Sequence, residues 1–137
     1  MFDANKLCPG CFNKKNQESC PICHYDENQK RSPLILPHRT LLDGRYLAGR
    51  VLGKLGGFGI TYLGWDIRLE TLVAIKEYLP RDLAGRDFDQ ATVSPYSEDD
   101  EKLFNFGLEQ FIQEARALAK FDHANVVRVR TFLEEND

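Results

Sequence analysis

The sequence predicts an α+β chain in two parts: a small four-cysteine metal module, then an antiparallel β-sheet with one long helix packed on it. Three observations carry this. All four cysteines lie within the first 23 residues, in two Cys-x-x-Cys pairs. Between Arg45 and Leu79, three segments rich in β-branched and aromatic residues are separated by a glycine cluster and a short turn. From Leu108 to Phe121, apolar residues recur at helical spacing.

Composition narrows the class before any motif is read. A chain of 137 residues suits one domain, or one domain plus a small module. Charged residues make up 28% and the net charge is -3, which argues against a nucleic-acid binder. Lys6, Lys14, Lys15, Lys30 and Arg31 are the only basic cluster near the cysteines, and Asp3, Glu18, Asp26 and Glu27 offset them. No apolar run approaches the roughly 18 residues of a membrane span, and the opening MFDANKLCPGC has no apolar leader core. The expected compartment is the cytoplasm, where structural disulfides are disfavoured.

The cysteines are Cys8, Cys11, Cys20 and Cys23, spaced C-x2-C-x8-C-x2-C. Each pair makes a tight turn that aims two sulfurs at one point, and two such turns supply the tetrahedral thiolate set that Zn2+ prefers. Pro9 and Pro21 follow the first cysteine of each pair and help fix the turns. The same geometry accepts iron, and disulfide or redox pairing are further alternatives. His24 adjoins Cys23 and is read as a bystander, since four cysteines complete the set. The short gap favours a ribbon or paired knuckles over a helical finger. Phe2, Leu7, Phe12, Ile22 and Tyr25 are too few for a core, so the metal is expected to supply the folding energy of residues 1–30.

Residues 31–44 contain Pro33 and Pro37 around the triplet Leu34-Ile35-Leu36. This spacing opposes a helix. It reads as a semi-rigid linker whose apolar triplet packs on a neighbouring surface, with a flexible linker as the alternative.

The second part is expected to span 45–137. RYLAGRVLG is a strand that runs into glycines, ITYLGWD a second, IRLET a turn and LVAIKEYL a third. The glycine cluster therefore sits at the tip of a hairpin. A dinucleotide fingerprint needs a helix directly after its glycines, and a Walker A loop needs Gly-Lys-Ser/Thr; neither is present. A glycine-rich hairpin followed by a strand with V-A-I-K remains.

With GGFGITY, VAIK and FIQEARALAKFDHANVVRV in this order, the stretch from Tyr46 to Phe132 resembles the amino-terminal lobe of the protein kinases, the bacterial serine/threonine type most closely. The resemblance implies that Leu52, Gly53, Gly56, Gly57, Phe58, Gly59, Thr61 and Ala74 line an ATP site. It implies that Lys76 holds the ATP α- and β-phosphates and that Glu114 on the helix is its partner. The helical pattern itself puts Leu108, Phe111, Ile112, Ala115, Leu118 and Ala119 on one stripe, with Glu114 at its edge. The implied reaction of the parent protein is transfer of the γ-phosphate of Mg-ATP to a protein Ser or Thr, and the implied partners are ATP and a protein substrate or regulatory partner.

Three departures qualify the resemblance. Counting back from Gly59, the family's first glycine falls on Lys54, and Gly53 stands one residue early; a one-residue bulge in the first strand would restore the fit. Thr61 stands where the pattern has Val. The largest departure is that the catalytic loop and the D-F-G motif, which supply the base and the Mg2+ ligands, are not in this sequence. PRDLAGRD lacks the His of a catalytic loop and follows Lys76 too closely, so it reads as the strand-to-helix connection. The expectation is an incomplete kinase domain whose carboxy-terminal lobe is missing, with no phosphotransfer by the chain alone. A pseudokinase-like or scaffold element is the alternative.

The connection to the helix is acidic. Ser97 with the acids after it reads as a helix cap, against phosphorylation at Thr92, Ser94 or Ser97 as the sharper reading. Gly107 is expected to mark a bend between a short helix and the main one. Val126 to Leu133 is expected to form a fourth strand.

Overall fold

A computed structural model describes residues 6–14, 20–32, 34–53, 59–80, 82–86 and 92–119. The expected fourth strand at 126–133 lies outside them. The elements are β1 (Leu41–Leu42), β2 (Tyr46–Val51), β3 (Gly59–Asp66), β4 (Thr71–Tyr78), β5 (Ala84–Arg86), β6 (Val93–Pro95) and α1 (Glu98–Ala119). Strands β1 to β4 form an antiparallel sheet in sequence order, and β5 and β6 form a separate hairpin. The α+β class and the three expected strands are borne out.

The side-chain alternation of β3 gives the sheet two different faces. Ile60, Tyr62, Gly64 and Asp66 point one way, and Thr61, Leu63 and Trp65 the other. On the first face Ile60 and Tyr62 pack with Ala48, Leu79 and Leu36. Leu36 comes from the proline-flanked triplet, so that triplet lies as a strap across the sheet. Polar contacts hold it there. The Tyr62 hydroxyl accepts from the Leu36 amide at 3.0 Å and donates to Glu77 at 3.0 Å. Arg86 joins Glu77 to the strap by donating to the Leu34 carbonyl at 3.0 and 2.8 Å. The hairpin β5–β6 was not foreseen. Its anchoring role follows from Arg86, whose side chain is 2% exposed.

Asp66 ends β3 and is buried. It takes a two-pronged ion pair from Arg45 at 3.0 and 2.8 Å and accepts the amides of Arg68 and Leu69 at 3.0 and 3.2 Å. Its carboxylate thereby closes the turn into β4. These bonds, the Arg45 guanidinium foremost, hold its pKa down at about 2.

The helix corrects one expectation. It runs unbroken through Gly107. A Cβ at this position would lie 2.3 Å from the Tyr78 hydroxyl oxygen, so glycine serves a close helix–strand approach instead of a bend. The cap at Ser97 is as expected: its Oγ accepts the Asp100 amide at 3.1 Å, and four acids fill the first turn.

Candidate functional site

The two Cys-x-x-Cys turns are built alike. In the first, the Phe12 amide donates to the Cys8 carbonyl at 2.6 Å, and the Gly10 amide donates to Cys8 Sγ at 3.3 Å. In the second, the His24 amide donates to the Cys20 carbonyl at 2.8 Å, and the Ile22 amide to Cys20 Sγ at 3.4 Å. Phe12 and His24 close the two turns in the same left-handed conformation, at φ 60° and 62°. The two turns are thus like knuckles, one of the two shapes that the spacing favoured.

The four sulfurs lie within 4.8 Å of one another, with Cys8–Cys23 at 3.7 Å and Cys11–Cys20 at 3.8 Å. A tetrahedron with metal–sulfur bonds of about 2.3 Å has edges of about 3.8 Å. A disulfide needs sulfurs about 2.05 Å apart, and all four thiols are free. Burial pushes the Cys8 and Cys23 thiols up, Cys8 to about 12, while the Cys23 backbone amide holds Cys20 down at about 6. Thiols this close resist ionising together, and a bound cation relieves that conflict. Cys8, Cys11, Cys20 and Cys23 are placed to hold one metal ion; His24 does not belong to the group.

The module also has apolar partners that the cysteine-centred reading left out. Leu7 and Phe12 are buried with Leu47 of β2, against Leu63, Trp65 and Ile67. The Phe12 ring stacks on Trp65 at 6.0 Å. Metal–cysteine bonds would therefore not be alone in holding the module in place.

Leu63 and Trp65 share their face of the sheet with Thr61. Opposed residues of an antiparallel pair lie on one face, and the register pairs Thr61 with Lys76 and Leu63 with Ala74. Thr61, Ala74 and Lys76 thus come together on one face, with Ala74 and Lys76 exposed. The Leu52 amide donates to the Thr61 carbonyl at 2.8 Å, which brings Leu52 alongside at the mouth of the glycine loop. Gly53 opens that loop at φ +71°. Gly59 closes it against β4, where a Cβ would lie 2.5 Å from the Glu77 carbonyl oxygen. Gly56, Gly57 and Phe58 lie outside the described residues.

The bulge lies in the first strand of the hairpin, as expected, but it does not restore the glycine spacing. Ala48 pairs with Gly64 and Val51 with Tyr62, so two residues of β2, Gly49 and Arg50, face Leu63 alone. This extra residue precedes Gly53. It leaves the long Gly53-to-Gly59 spacing inside the loop itself.

Lys76 and Glu114 are both exposed, and no ion pair joins them. The Lys76 ammonium lies over the Phe111 ring, 5.7 Å from its centre, one helical turn before Glu114. Tyr78, two residues after Lys76, packs on Phe104 and Phe111 with ring centres 5.0 and 5.5 Å away, and donates to the Phe104 carbonyl at 2.9 Å. This aromatic contact seats α1 beside the lysine. Gly49 and Tyr78 are positioning residues that sequence reasoning missed, and Gly107 is one that it read as a bend. A glycine inside a strand or helix pattern is the one sequence signal for Gly49 and Gly107, and Tyr78 has none.

Comparison with known proteins agrees with this geometry. No protein-family model matches the chain. It is 36% identical over 104 residues to the serine/threonine-protein kinase pkn2 of Myxococcus xanthus, a match that covers 76% of this chain and 10% of the relative. A solved structure, the PpkA-294 apo form, superposes with a TM-score of 0.71 at 41% identity, covering 75% of this chain and 36% of that one. The chain spans about a tenth of the first protein and about a third of the second. By sequence and by fold together, the chain is a homologue of bacterial serine/threonine protein kinases over part of their length, and it carries a four-cysteine cluster.

Proposed function

We propose that this chain is the ATP-binding amino-terminal portion of a cytoplasmic serine/threonine protein kinase, stabilised by a structural Zn2+ on Cys8, Cys11, Cys20 and Cys23. The observation that carries the reading is the single sheet face on which Leu52, Thr61, Ala74 and Lys76 converge at the glycine loop. Leu52, Thr61 and Ala74 offer a flat, partly apolar surface for a base. Lys76 brings a cation to where the phosphates would lie under Gly53 and Gly59, and loop backbone close to a ligand is what glycine permits.

In the kinase reading, Glu114 orients Lys76 when the helix swings in, and Lys76 then grips the α- and β-phosphates. The Lys76–Phe111 contact fits a helix that has not made this move. The base and the Mg2+ ligands would come from the remainder of the kinase, which would pass the γ-phosphate to a protein hydroxyl. The zinc would have a structural role only, since Zn2+ does no redox chemistry and four thiolates leave no open position.

Titrating Mg-ATP into the isotopically labelled chain tests the reading. The amide resonances of Leu52, Gly53, Thr61, Ala74 and Lys76 are expected to move together in one saturable process. Shifts confined to other residues, or none at millimolar nucleotide, would refute the nucleotide site.

A further inference from the structure

The first knuckle does more than present two cysteines. Along the outer edge of β2, Ala48 is bonded on both sides of its backbone: its amide donates to the Thr40 carbonyl at 2.9 Å and its carbonyl accepts the Arg39 amide at 2.8 Å. Beyond Ala48 that covering segment ends, and the knuckle takes over. The Arg50 amide donates to the Pro9 carbonyl at 2.8 Å, and Arg50 Nε donates to the Gly10 carbonyl at 3.0 Å. Pro9 and Gly10 are the two residues between Cys8 and Cys11. Gly49 makes room for them: a Cβ there would lie 2.3 Å from the Pro9 carbonyl oxygen and 2.8 Å from the Phe12 ring. The knuckle therefore seats in the bulge of β2. Gly53, which opens the glycine loop, is three residues further on.

We propose that the first cysteine knuckle is a positioning element of the glycine loop, so that metal occupancy and nucleotide binding are coupled. The inference rests on reading the four cysteines as a metal centre and the sheet face as a nucleotide site, and it adds a link between them. The chain of contacts is short. The metal fixes the Cys8–Cys11 turn. That turn holds Gly49 and Arg50 in the bulge. The bulge sets where Val51, Leu52 and Gly53 leave the sheet, and Leu52 is the residue bonded to Thr61. A second contact surface reinforces it, because Arg39 donates to the Leu7 carbonyl at 3.0 Å and pairs with Glu27 at 2.7 Å. Without the metal the turn loses its constraint, the edge of β2 loses its cover, and the base of the loop samples more conformations. Nucleotide then binds a smaller fraction of the molecules. By reciprocity, bound nucleotide raises the affinity for the metal by the same factor.

The test compares the chain as purified, the chain stripped by a chelator, and Gly49→Ala, which leaves every cysteine in place. Each is scored for zinc content, for hydrogen exchange at the Arg50 and Leu52 amides, and for Mg-ATP affinity. Exchange across β3 and β4 reports whether the sheet itself stays folded. Stripping is expected to speed exchange at Arg50 and Leu52 by about tenfold or more and to weaken Mg-ATP binding by about 5- to 20-fold, the lower part of the usual range of such couplings. Gly49→Ala is expected to keep its zinc and still reproduce both changes. If Arg50 and Leu52 exchange at the same rate with and without zinc, the knuckle does not position the loop. If exchange changes but Mg-ATP affinity does not, the coupling is wrong while both sites stand. If the purified chain holds no metal, or binds no nucleotide in either state, the underlying reading fails and the proposal falls with it.

Discussion

Replacing Gly107 with alanine sets two effects of known size against each other. In a solvent-exposed helix interior, Gly→Ala stabilises by about 1 kcal/mol through backbone entropy. Here the new methyl would lie 2.3 Å from the Tyr78 hydroxyl oxygen and 3.2 Å from Cζ. Relief requires the tyrosine ring to swing away or the helix to lift. Swinging the ring breaks its hydrogen bond to the Phe104 carbonyl, worth about 1 kcal/mol. It also disturbs two ring pairs, each worth about 0.5–1.5 kcal/mol. The losses come to about 2–4 kcal/mol, so the net expectation is destabilisation by about 1–3 kcal/mol. Urea unfolding followed by far-ultraviolet circular dichroism measures it. The same substitution in a Tyr78→Phe background removes the closest atom and the hydrogen bond, and its cost is expected to shrink by at least about 1 kcal/mol. A Gly107→Ala chain that is more stable than the parent would show that α1 does not press on β4. The aromatic seat beside Lys76 would then be wrong.

Two further predictions concern the metal and the buried carboxylate. Metal analysis of natively purified protein is expected to find about one Zn2+ per chain, lost in Cys20→Ser; full occupancy in that variant, or iron in its place, would overturn the ligand set or the metal. Asp66 is held at a pKa of about 2 by Arg45 and two turn amides, below the roughly 3.9 of an unfolded aspartate. Its contribution is therefore complete above about pH 4 and lost as pH falls towards 2. The midpoint of thermal unfolding is expected to fall more steeply over that window in the parent than in Asp66→Asn, and parallel curves would refute the role.

Much of this molecule was legible because its signals are local. Two Cys-x-x-Cys turns, a strand period of two on either side of a glycine cluster, and a helical stripe from Leu108 each declare themselves within about twenty residues. What they could not declare is what each surface packs against. Arg50 reaches Gly10 across 40 positions and Arg86 reaches Leu34 across 52, and no periodicity encodes such a pairing. The glycines show the same limit. Gly107 reads as a helix weakness when only propensity is weighed, and as a contact once Tyr78 is seen beside it. Gly49 looks like an ordinary strand glycine until Pro9 is found against its backbone. The bulge was anticipated from the loop spacing, yet it lies further back in the strand, where it admits the knuckle.

The central claim is that Lys76 grips nucleotide phosphates. On the proposed reading, Lys76→Met in a full-length kinase carrying this lobe tests it most directly. Lys76 is exposed and its contact with Phe111 is worth about 0.5–1 kcal/mol, so the variant is expected to stay folded with nearly unchanged stability. Its phosphotransfer to a protein substrate is expected to fall by orders of magnitude. Activity within a few-fold of the parent, in a folded Lys76→Met protein, would contradict the account and move the phosphate grip elsewhere, with Lys54 of the glycine loop the first residue to examine.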